Sequence, residues 1–146
     1  MWRQFEGINF YYSATHKLWD EAEAACEQLG TGWHLATIRN DAENAFANSL
    51  ISEDTYFGLN DAAMEGTYVW ASGLTSTYTN WYIGEYTEPN GVPNENYGAI
   101  RPDGKWSDVE QSPRVYLCSV SVLSSSKTFC QIFMRFSQQR SALPRD

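Results

Sequence analysis

Two segments in the N-terminal half of the chain carry apolar residues at intervals of three or four, which is the spacing of a helix with one buried face. The first segment covers residues 18–29, and Gly30 follows at the position where a helix is expected to end. The second covers residues 41–50, with Asn40 as a candidate N-cap and Glu43 three residues later. The pattern predicts two helices.

The other apolar runs are short and rich in aromatic or branched residues, as strands are. A strand is predicted in INFYY, a second in WHLATI between the helices, and two more at the ends of TYFGLNDAAMEGTYVW, around a polar turn. NENYGAIRPDGKWSD predicts a hairpin that turns at residues 102–104, and RVYLCSV predicts a last strand.

Residues 71–94 lack a clear apolar period, although they contain several Tyr and Trp side chains. A loop of this length inside a domain is unusual and is often functional, and its aromatic content favours an ordered, packed loop. The element order of strand, helix, strand, helix and then short strands around a long loop predicts an α+β domain.

Within that loop, residues 87–96 (TEPNGVPNEN) hold two carboxylates, three side-chain amides and two prolines. Pro, Asn and Gly are ordinary turn residues, so a solvated turn is one interpretation. A calcium site is the other, because Ca²⁺ takes six to eight oxygen ligands from carboxylates and amide carbonyls.

The charge is consistent with a cation-binding protein. The chain has 146 residues, enough for one domain with a real core, and a net charge of −8. The acidic excess lies in residues 1–118, because the segment beyond them is basic. This balance argues against nucleic acid as a partner, since phosphate binding needs basic groups. Membrane insertion is not expected either, because no apolar run approaches the roughly 20 residues that span a bilayer.

An enzyme is not expected. His16 and His34 lie near no candidate nucleophile in the sequence, and Cys26 falls on a predicted helix face. Glu88 and Glu95 would form a glycosidase pair only if they flanked a cleft, which nothing in the sequence indicates.

Several ordered segments together resemble the C-type lectin-like domain: WDEAEAACEQLG, HLATIRNDAENAF, YFGLNDAAMEGTYVW, YTNW, EPN, ENYGAI, GKWSD and YLC. The resemblance implies that residues 1–120 form a carbohydrate-recognition domain with two helices, short antiparallel sheets and a long calcium-binding loop. Residues 121–146 would be a C-terminal extension, either flexible or an added strand.

The resemblance also implies how a metal and a sugar are bound. Its expected calcium ligands are Glu88, Asn90, Glu95, Ser107 and Asp108, with a cis peptide at Pro89 turning two of them toward one point. Sugar hydroxyls would complete the calcium shell and bond to Glu88, Asn90, Glu95 and Ser107. The order Glu-Pro-Asn implies sugars with equatorial 3- and 4-hydroxyls, meaning mannose, glucose, N-acetylglucosamine or fucose.

The alternative function is a calcium-independent module of the same framework that binds protein or a surface. The chain departs from the sugar-binding pattern at Trp106-Ser107-Asp108, where the family usually has Trp-Asn-Asp, and weaker calcium or sugar binding is expected from the shorter side chain. A second calcium site is implied by Asp61, Glu65 and Asn96, but Gly91 stands where an acidic ligand is common. A turn-capping pair explains Asp61 and Glu65 equally well.

The cysteines agree with the resemblance only in part. It implies a disulfide between Cys26 and Cys118, which by loop-closure entropy is worth about 4 to 5 kcal/mol. Tyr97 occupies an expected position of the family's second disulfide, so calcium and aromatic packing at Tyr97, Trp106 and Tyr116 are expected to hold the hairpin.

Cys130 lies in the extension, which is predicted to be a disordered or partly docked tail, an added strand at residues 128–136, or a dimerising arm. An extracellular or cell-surface location is expected, with the signal or anchor absent from this chain. Single sites of this kind bind weakly, so clustering through an oligomer is expected to provide avidity.

Overall fold

Both predicted helices form. A computed structural model describes residues 1–121 and places two helices and eight strands in that range. The helices are α1 (Trp19–Glu27) and α2 (Asp41–Ser49). The strands are β1 (Trp2–Phe5), β2 (Ile8–Lys17), β3 (His34–Leu35), β4 (Thr55–Asn60), β5 (Val69–Trp70), β6 (Tyr97–Ile100), β7 (Trp106–Val109) and β8 (Arg114–Ser121).

The α+β class is therefore confirmed, with two helices on a mixed sheet. Beyond residue 121, the predicted extension with Cys130 and the strand candidate at 128–136 lies outside the described residues. In the described part of the chain, neither helix has the length and apolar character needed to cross a membrane.

The strands join in the order β1-β2-β8-β4-β6-β7, with β3 paired to β8 and β5 paired to β4. All pairs are antiparallel except β4 with β8. The β6–β7 hairpin thus lies at one edge of the sheet, and the long loop between β5 and β6 connects to it.

The sheet is buried on both faces. In β4, Tyr56 packs with one core cluster and Phe57 with the other, and in β8 Leu117 and Cys118 alternate in the same way. Because neighbouring side chains of a strand point to opposite faces, the two clusters lie on the two sides of the sheet. Leu117, Cys118, Tyr56 and Phe57 are all fully buried.

Helix α1 is linked covalently to the last strand. Cys26 at the end of α1 and Cys118 in β8 form the expected disulfide, with their Cα atoms 5.5 Å apart and a separation of 92 positions in sequence. Gly58 allows β4 to approach the segment after β3, because a Cβ at that position would lie 2.6 Å from the Leu35 carbonyl oxygen.

The N-terminal strand differs most from the sequence prediction. INFYY is the start of a longer strand, β2, and it pairs with β1, which was not predicted. Glu6 and Gly7 make the connection with φ of 47° and 81°, as a two-residue hairpin turn requires. WHLATI forms a strand only at His34–Leu35, although its next residue still bonds to Leu117.

Candidate calcium site

Three carboxylates from distant parts of the sequence converge at the β6–β7 edge of the sheet. Glu88 comes from the long loop, Glu95 from the residues just before β6, and Asp108 from β7. One oxygen of each lies within 4.8 Å of the others. Glu88 is 7% exposed and Asp108 is 1% exposed, so these are buried acids rather than a solvated surface cluster.

The hairpin positions two of the site residues by its register. Asp108 pairs with Gly98, and Ser107 pairs with Ala99. The predicted turn is confirmed: it lies between the two strands, and Gly104 in it has φ of 85°. Gly98 has no room for a side chain, since an added Cβ would lie 2.7 Å from the Phe57 ring, and this lets β6 lie close against β4.

Backbone hydrogen bonds hold the long loop against the hairpin. The Tyr82 amide donates to the Trp106 carbonyl at 2.9 Å, and the Glu88 amide donates to the Tyr82 carbonyl at 2.9 Å. The Glu88–Pro89 peptide bond is cis, as expected from the sequence. At the end of the loop, Asn94 has φ of 83°, and the amide of Glu95 bonds back to the loop.

An aromatic cluster around Trp106 packs beneath the start of β7, next to the site. Trp106 is fully buried, and its indole nitrogen donates to Asn44 Oδ1 at 2.7 Å. Its ring lies within 6 Å, between centroids, of the rings of Phe57, Trp70, Tyr78 and Trp81. This packing fixes the start of β7 and so the backbone that carries Ser107 and Asp108.

The three carboxylates leave oxygen atoms unsatisfied. Within the described residues, Glu88 Oε1, Glu95 Oε1 and Asp108 Oδ1 are buried and have no hydrogen-bond partner. Burial, the neighbouring Asp108 and Glu95 raise the pKa of Glu88 to about 7, against a smaller lowering by the Ser107 hydroxyl. Buried anionic oxygens without partners are costly unless a cation neutralises them. The residues present therefore fit a hard divalent cation such as Ca²⁺.

The other two expected ligands are placed differently. Ser107 is 7% exposed, and its hydroxyl contacts the Glu88 carboxylate. Asn90 is exposed, and its Oδ1 accepts a hydrogen bond from the Val92 amide at 3.0 Å. An amide oxygen has two lone pairs, so this bond still leaves Asn90 able to coordinate a metal.

The residues of the implied second calcium site lie beside the first. Asp61 is 1% exposed; its Oδ2 accepts from the Gly66 amide at 2.7 Å, which is the turn-capping role, while its Oδ1 is buried without a hydrogen-bond partner among the described residues. Burial, Asp61 and Asp108 raise the pKa of Glu65. Asn96 is half-buried, and its backbone carbonyl accepts from the Asp61 amide at 3.0 Å.

Tyr68 is a site residue that the sequence patterns did not indicate. Its hydroxyl donates to Asp108 Oδ2 at 3.1 Å. Burial and the nearby carboxylates, Asp108 first among them, raise the pKa of Tyr68, so the hydroxyl keeps its proton at neutral pH. No local motif connects residues 40 positions apart in sequence, so only the folded structure brings the pair together.

The residues considered for catalysis have structural partners. His16 lies 3.1 Å from Glu53, and His34 Nδ1 lies 2.7 Å from Glu23 Oε2. The Glu23 carboxylate also accepts from the Leu35 amide at 2.7 Å, so it connects α1 to β3. Cys26 is in the disulfide.

Comparison with known proteins identifies relatives over most of the chain. The family model for the lectin C-type domain matches residues 15–120. Lectin BRA-3 of Megabalanus rosa is 31% identical over 127 residues, which cover 84% of this chain and 76% of the relative. An alpha-N-acetylgalactosamine-specific lectin of Patiria pectinifera is 32% identical over 136 residues, which cover 83% of this chain and 79% of the relative.

A solved structure shares the fold. A calcium-independent type II antifreeze protein superposes with a TM-score of 0.75 at 24% identity, and the match covers 82% of this chain and 91% of that one. At this identity the likeness concerns the fold alone.

Proposed function

This chain belongs to the C-type lectin domain family, and we propose that it binds carbohydrate through a calcium ion held by Glu88, Glu95 and Asp108. Two observations carry the proposal: Glu88, Glu95 and Asp108 each bring one carboxylate oxygen within 4.8 Å of the others, and each has a buried oxygen without a hydrogen-bond partner among the described residues. Their charge and their oxygen chemistry match the preference of Ca²⁺. Asn90 and Ser107 are the proposed additional ligands.

The chain's own groups would select and orient the sugar. Glu88 accepts a hydrogen bond from one sugar hydroxyl, and the amide nitrogen of Asn90 donates to the other, while Glu95 and Ser107 contact the same pair. When bound, the calcium ion supplies coordination positions for these two hydroxyls. The order Glu88-Pro89-Asn90 supports mannose-type sugars with equatorial 3- and 4-hydroxyls.

A non-sugar module is the second candidate function. The calcium-independent antifreeze protein supports it, because the same fold exists there without calcium. The buried oxygens of Glu88, Glu95 and Asp108 favour the calcium-dependent function, since a chain that bound no cation would be left with uncompensated acids in its interior.

Calorimetry separates the candidates. Calcium is titrated into the chelator-stripped chain, and methyl α-mannoside, methyl α-galactoside and N-acetylgalactosamine are then titrated into the calcium-loaded chain. The proposal expects calcium binding followed by mannoside binding stronger than that of either galacto-sugar. Calcium binding without any sugar heat would support the non-sugar module. Preference for a galacto-sugar, for which one relative is named, would contradict the proposed specificity.

A second calcium ion is proposed at Asp61, Glu65 and Asn96. The support is the buried Asp61 Oδ1, which the turn-capping bond to Gly66 does not use. The calcium stoichiometry in the same titration tests it: two ions per chain support the second site, and one ion contradicts it. An Asp61→Asn variant would then retain only one.

We also propose an extracellular or cell-surface role with glycans as partners. A single shallow site of this type binds a sugar weakly, so clustering of several sites would be needed for strong attachment. Sedimentation of the chain at micromolar concentration tests for an oligomer. A monomer there would contradict clustering by oligomerisation of this chain.

A further inference from the structure

We propose that Tyr68 is a positioning residue for the calcium site. Its hydroxyl holds Oδ2 of Asp108, so that Oδ1 of Asp108 is directed toward Glu88 and Glu95. The inference rests on the proposed function, because it concerns the same site. It adds a residue outside the five proposed calcium ligands, and it assigns the two oxygens of Asp108 different tasks.

The hydrogen bond defines which oxygen does what. Asp108 is 1% exposed, and its Oδ2 lies 3.1 Å from the Tyr68 hydroxyl. An ionised carboxylate can only accept hydrogen bonds, so Tyr68 is the donor. Asp108 Oδ1 remains buried and without a hydrogen-bond partner among residues 1–121, and the Asp108 carboxylate lies against Glu88.

The Tyr68 ring is held independently of any metal. It packs against the Trp81 ring with centroids 5.1 Å apart at 62°. Trp81 in turn packs against Trp106 and forms a backbone bridge with it. The aromatic cluster that positions β7 thus also positions the Tyr68 hydroxyl, which donates to the carboxylate of the proposed ligand Asp108.

Such support has an energetic consequence for the metal. Without the donor, Asp108 could rotate away from Glu88, because two carboxylates in contact repel each other. The hydrogen bond from Tyr68 to Oδ2 of Asp108 opposes this rotation and orients Oδ1 before the cation binds. Loss of an outer hydrogen bond to a metal ligand typically weakens metal binding by about 10- to 100-fold.

The test compares two tyrosine-to-phenylalanine variants in the same part of the fold. Tyr68→Phe removes the hydroxyl that bonds Asp108 and keeps the ring. Tyr78→Phe is the matched control, because the Tyr78 ring also packs on Trp106 but its hydroxyl donates to Asp41 at 2.6 Å. Calcium affinity is measured by calorimetry, and thermal melting is followed in excess chelator and in saturating calcium.

The inference expects Tyr68→Phe to bind calcium about 10-fold more weakly and Tyr78→Phe to bind as the wild type does. In chelator the two variants should melt within a few degrees of each other, which a purely structural loss at Tyr68 would not give. The rise in melting temperature between chelator and the same saturating calcium concentration should be smaller for Tyr68→Phe alone.

Three results would overturn the inference. Equal calcium affinity of the wild type and Tyr68→Phe would overturn it and leave the proposed function intact. Equal weakening by both variants would assign the effect to loop packing rather than to the hydroxyl. Failure of the wild-type chain to bind calcium would overturn the proposed function, and the inference with it.

Discussion

Ser107 is buried beside the carboxylates, and its hydroxyl contacts Glu88. Burial raises the pKa of Glu88, and the Ser107 hydroxyl partly opposes this rise. Serine at this position gives the site a short hydroxyl and no amide. An asparagine there would supply a carbonyl oxygen for the cation and an amide donor for a sugar hydroxyl.

We expect Ser107→Asn to raise calcium affinity several-fold and to strengthen mannoside binding, as measured by calorimetry. Ser107→Ala is the control. It removes the hydroxyl that stabilises the ionised form of Glu88, so it should bind calcium more weakly than the wild type at pH 7. Unaltered calcium and sugar affinities in Ser107→Asn would show that the serine is not what limits the site.

Glu88 makes the stability of the calcium-free chain depend on pH. Its folded-state pKa of about 7 lies above the ordinary value of 4.5, because burial and the neighbouring carboxylates disfavour its charge. The stability that it contributes is therefore fully present below pH 4.5 and is lost as the pH rises through about 7. Urea unfolding in chelator should show this loss between pH 5 and pH 8 in the wild type and a smaller one in Glu88→Gln.

Calcium affinity should change with pH in the opposite sense. A protonated Glu88 cannot serve as an anionic ligand, so the cation must displace a proton below pH 7. Calorimetry at pH 5.5 and pH 8 should find weaker calcium binding at the lower pH. A calcium affinity that is the same at both values would mean that Glu88 does not bind the ion.

The sequence indicates some site residues and not others for a physical reason. Glu88 and Asn90 lie in a short motif, and Asp108 lies two residues after Trp106 in a predicted hairpin, so the resemblance to a known family is enough to predict them as ligands. Tyr68 is different, because its bond to Asp108 depends on how its ring packs against Trp81 of the long loop, and no spacing encodes that contact. The contact of Ser107 with Glu88 is non-local in the same way.

At the scale of elements, α2 begins as the sequence predicts. Asn40 Oδ1 accepts from the Glu43 amide at 2.8 Å. Glu43 reaches back to the Arg39 amide at 2.8 Å and lies 3.0 Å from the Arg39 guanidinium. The expected N-cap is thus present, but the Glu43 carboxylate accepts from the amide of Arg39, the residue before the cap, rather than from the Asn40 amide.

Asn40→Ala should lower the free energy of unfolding by about 1 kcal/mol, because a helix amide loses its partner. Urea denaturation in saturating calcium measures the change. Asn40→Asp retains an acceptor at the same place and should lose much less. If alanine and aspartate gave equal stabilities, the cap would contribute nothing measurable.

Helices and the hairpin are predictable here because their signals are local. Strand β1 is not predictable from the sequence, since WRQF shows no alternation, its residues are mostly exposed, and only the pairing with β2 makes it a strand. The full length of β2 is not predictable for a related reason. Its later residues are mostly exposed, so their composition does not indicate a strand. They belong to the strand because they pair with β8.

For the whole molecule, a disulfide and the proposed calcium ion at Glu88, Glu95 and Asp108 join distant segments within residues 1–121. The described residues contain two cysteines, and these join α1 to β8. The β6–β7 hairpin has no such link; Tyr97 packs on Trp19 with centroids 5.0 Å apart, and Trp106 lies in the core. The site region therefore relies on aromatic packing and, in the proposed function, on neutralisation of its carboxylates by calcium.

Removal of calcium should accordingly destabilise the entire fold. A free calcium concentration about 100 times the dissociation constant would stabilise the chain by about 2.7 kcal/mol relative to chelator. Thermal melting in calcium and in EDTA measures the difference, and Glu88→Gln should show a smaller one. Identical melting curves of the wild type in the two buffers would contradict a site that holds the ion.

We propose that calcium at Glu88, Glu95 and Asp108 binds the sugar directly, and amide NMR shifts test this proposal at residue resolution. Methyl α-mannoside is titrated into the isotope-labelled chain in calcium and, separately, in EDTA. We expect shifts concentrated at residues 88–96 and 107–108 in calcium and none in EDTA. Shifts elsewhere, the same shifts in EDTA, or no shifts in calcium would contradict it.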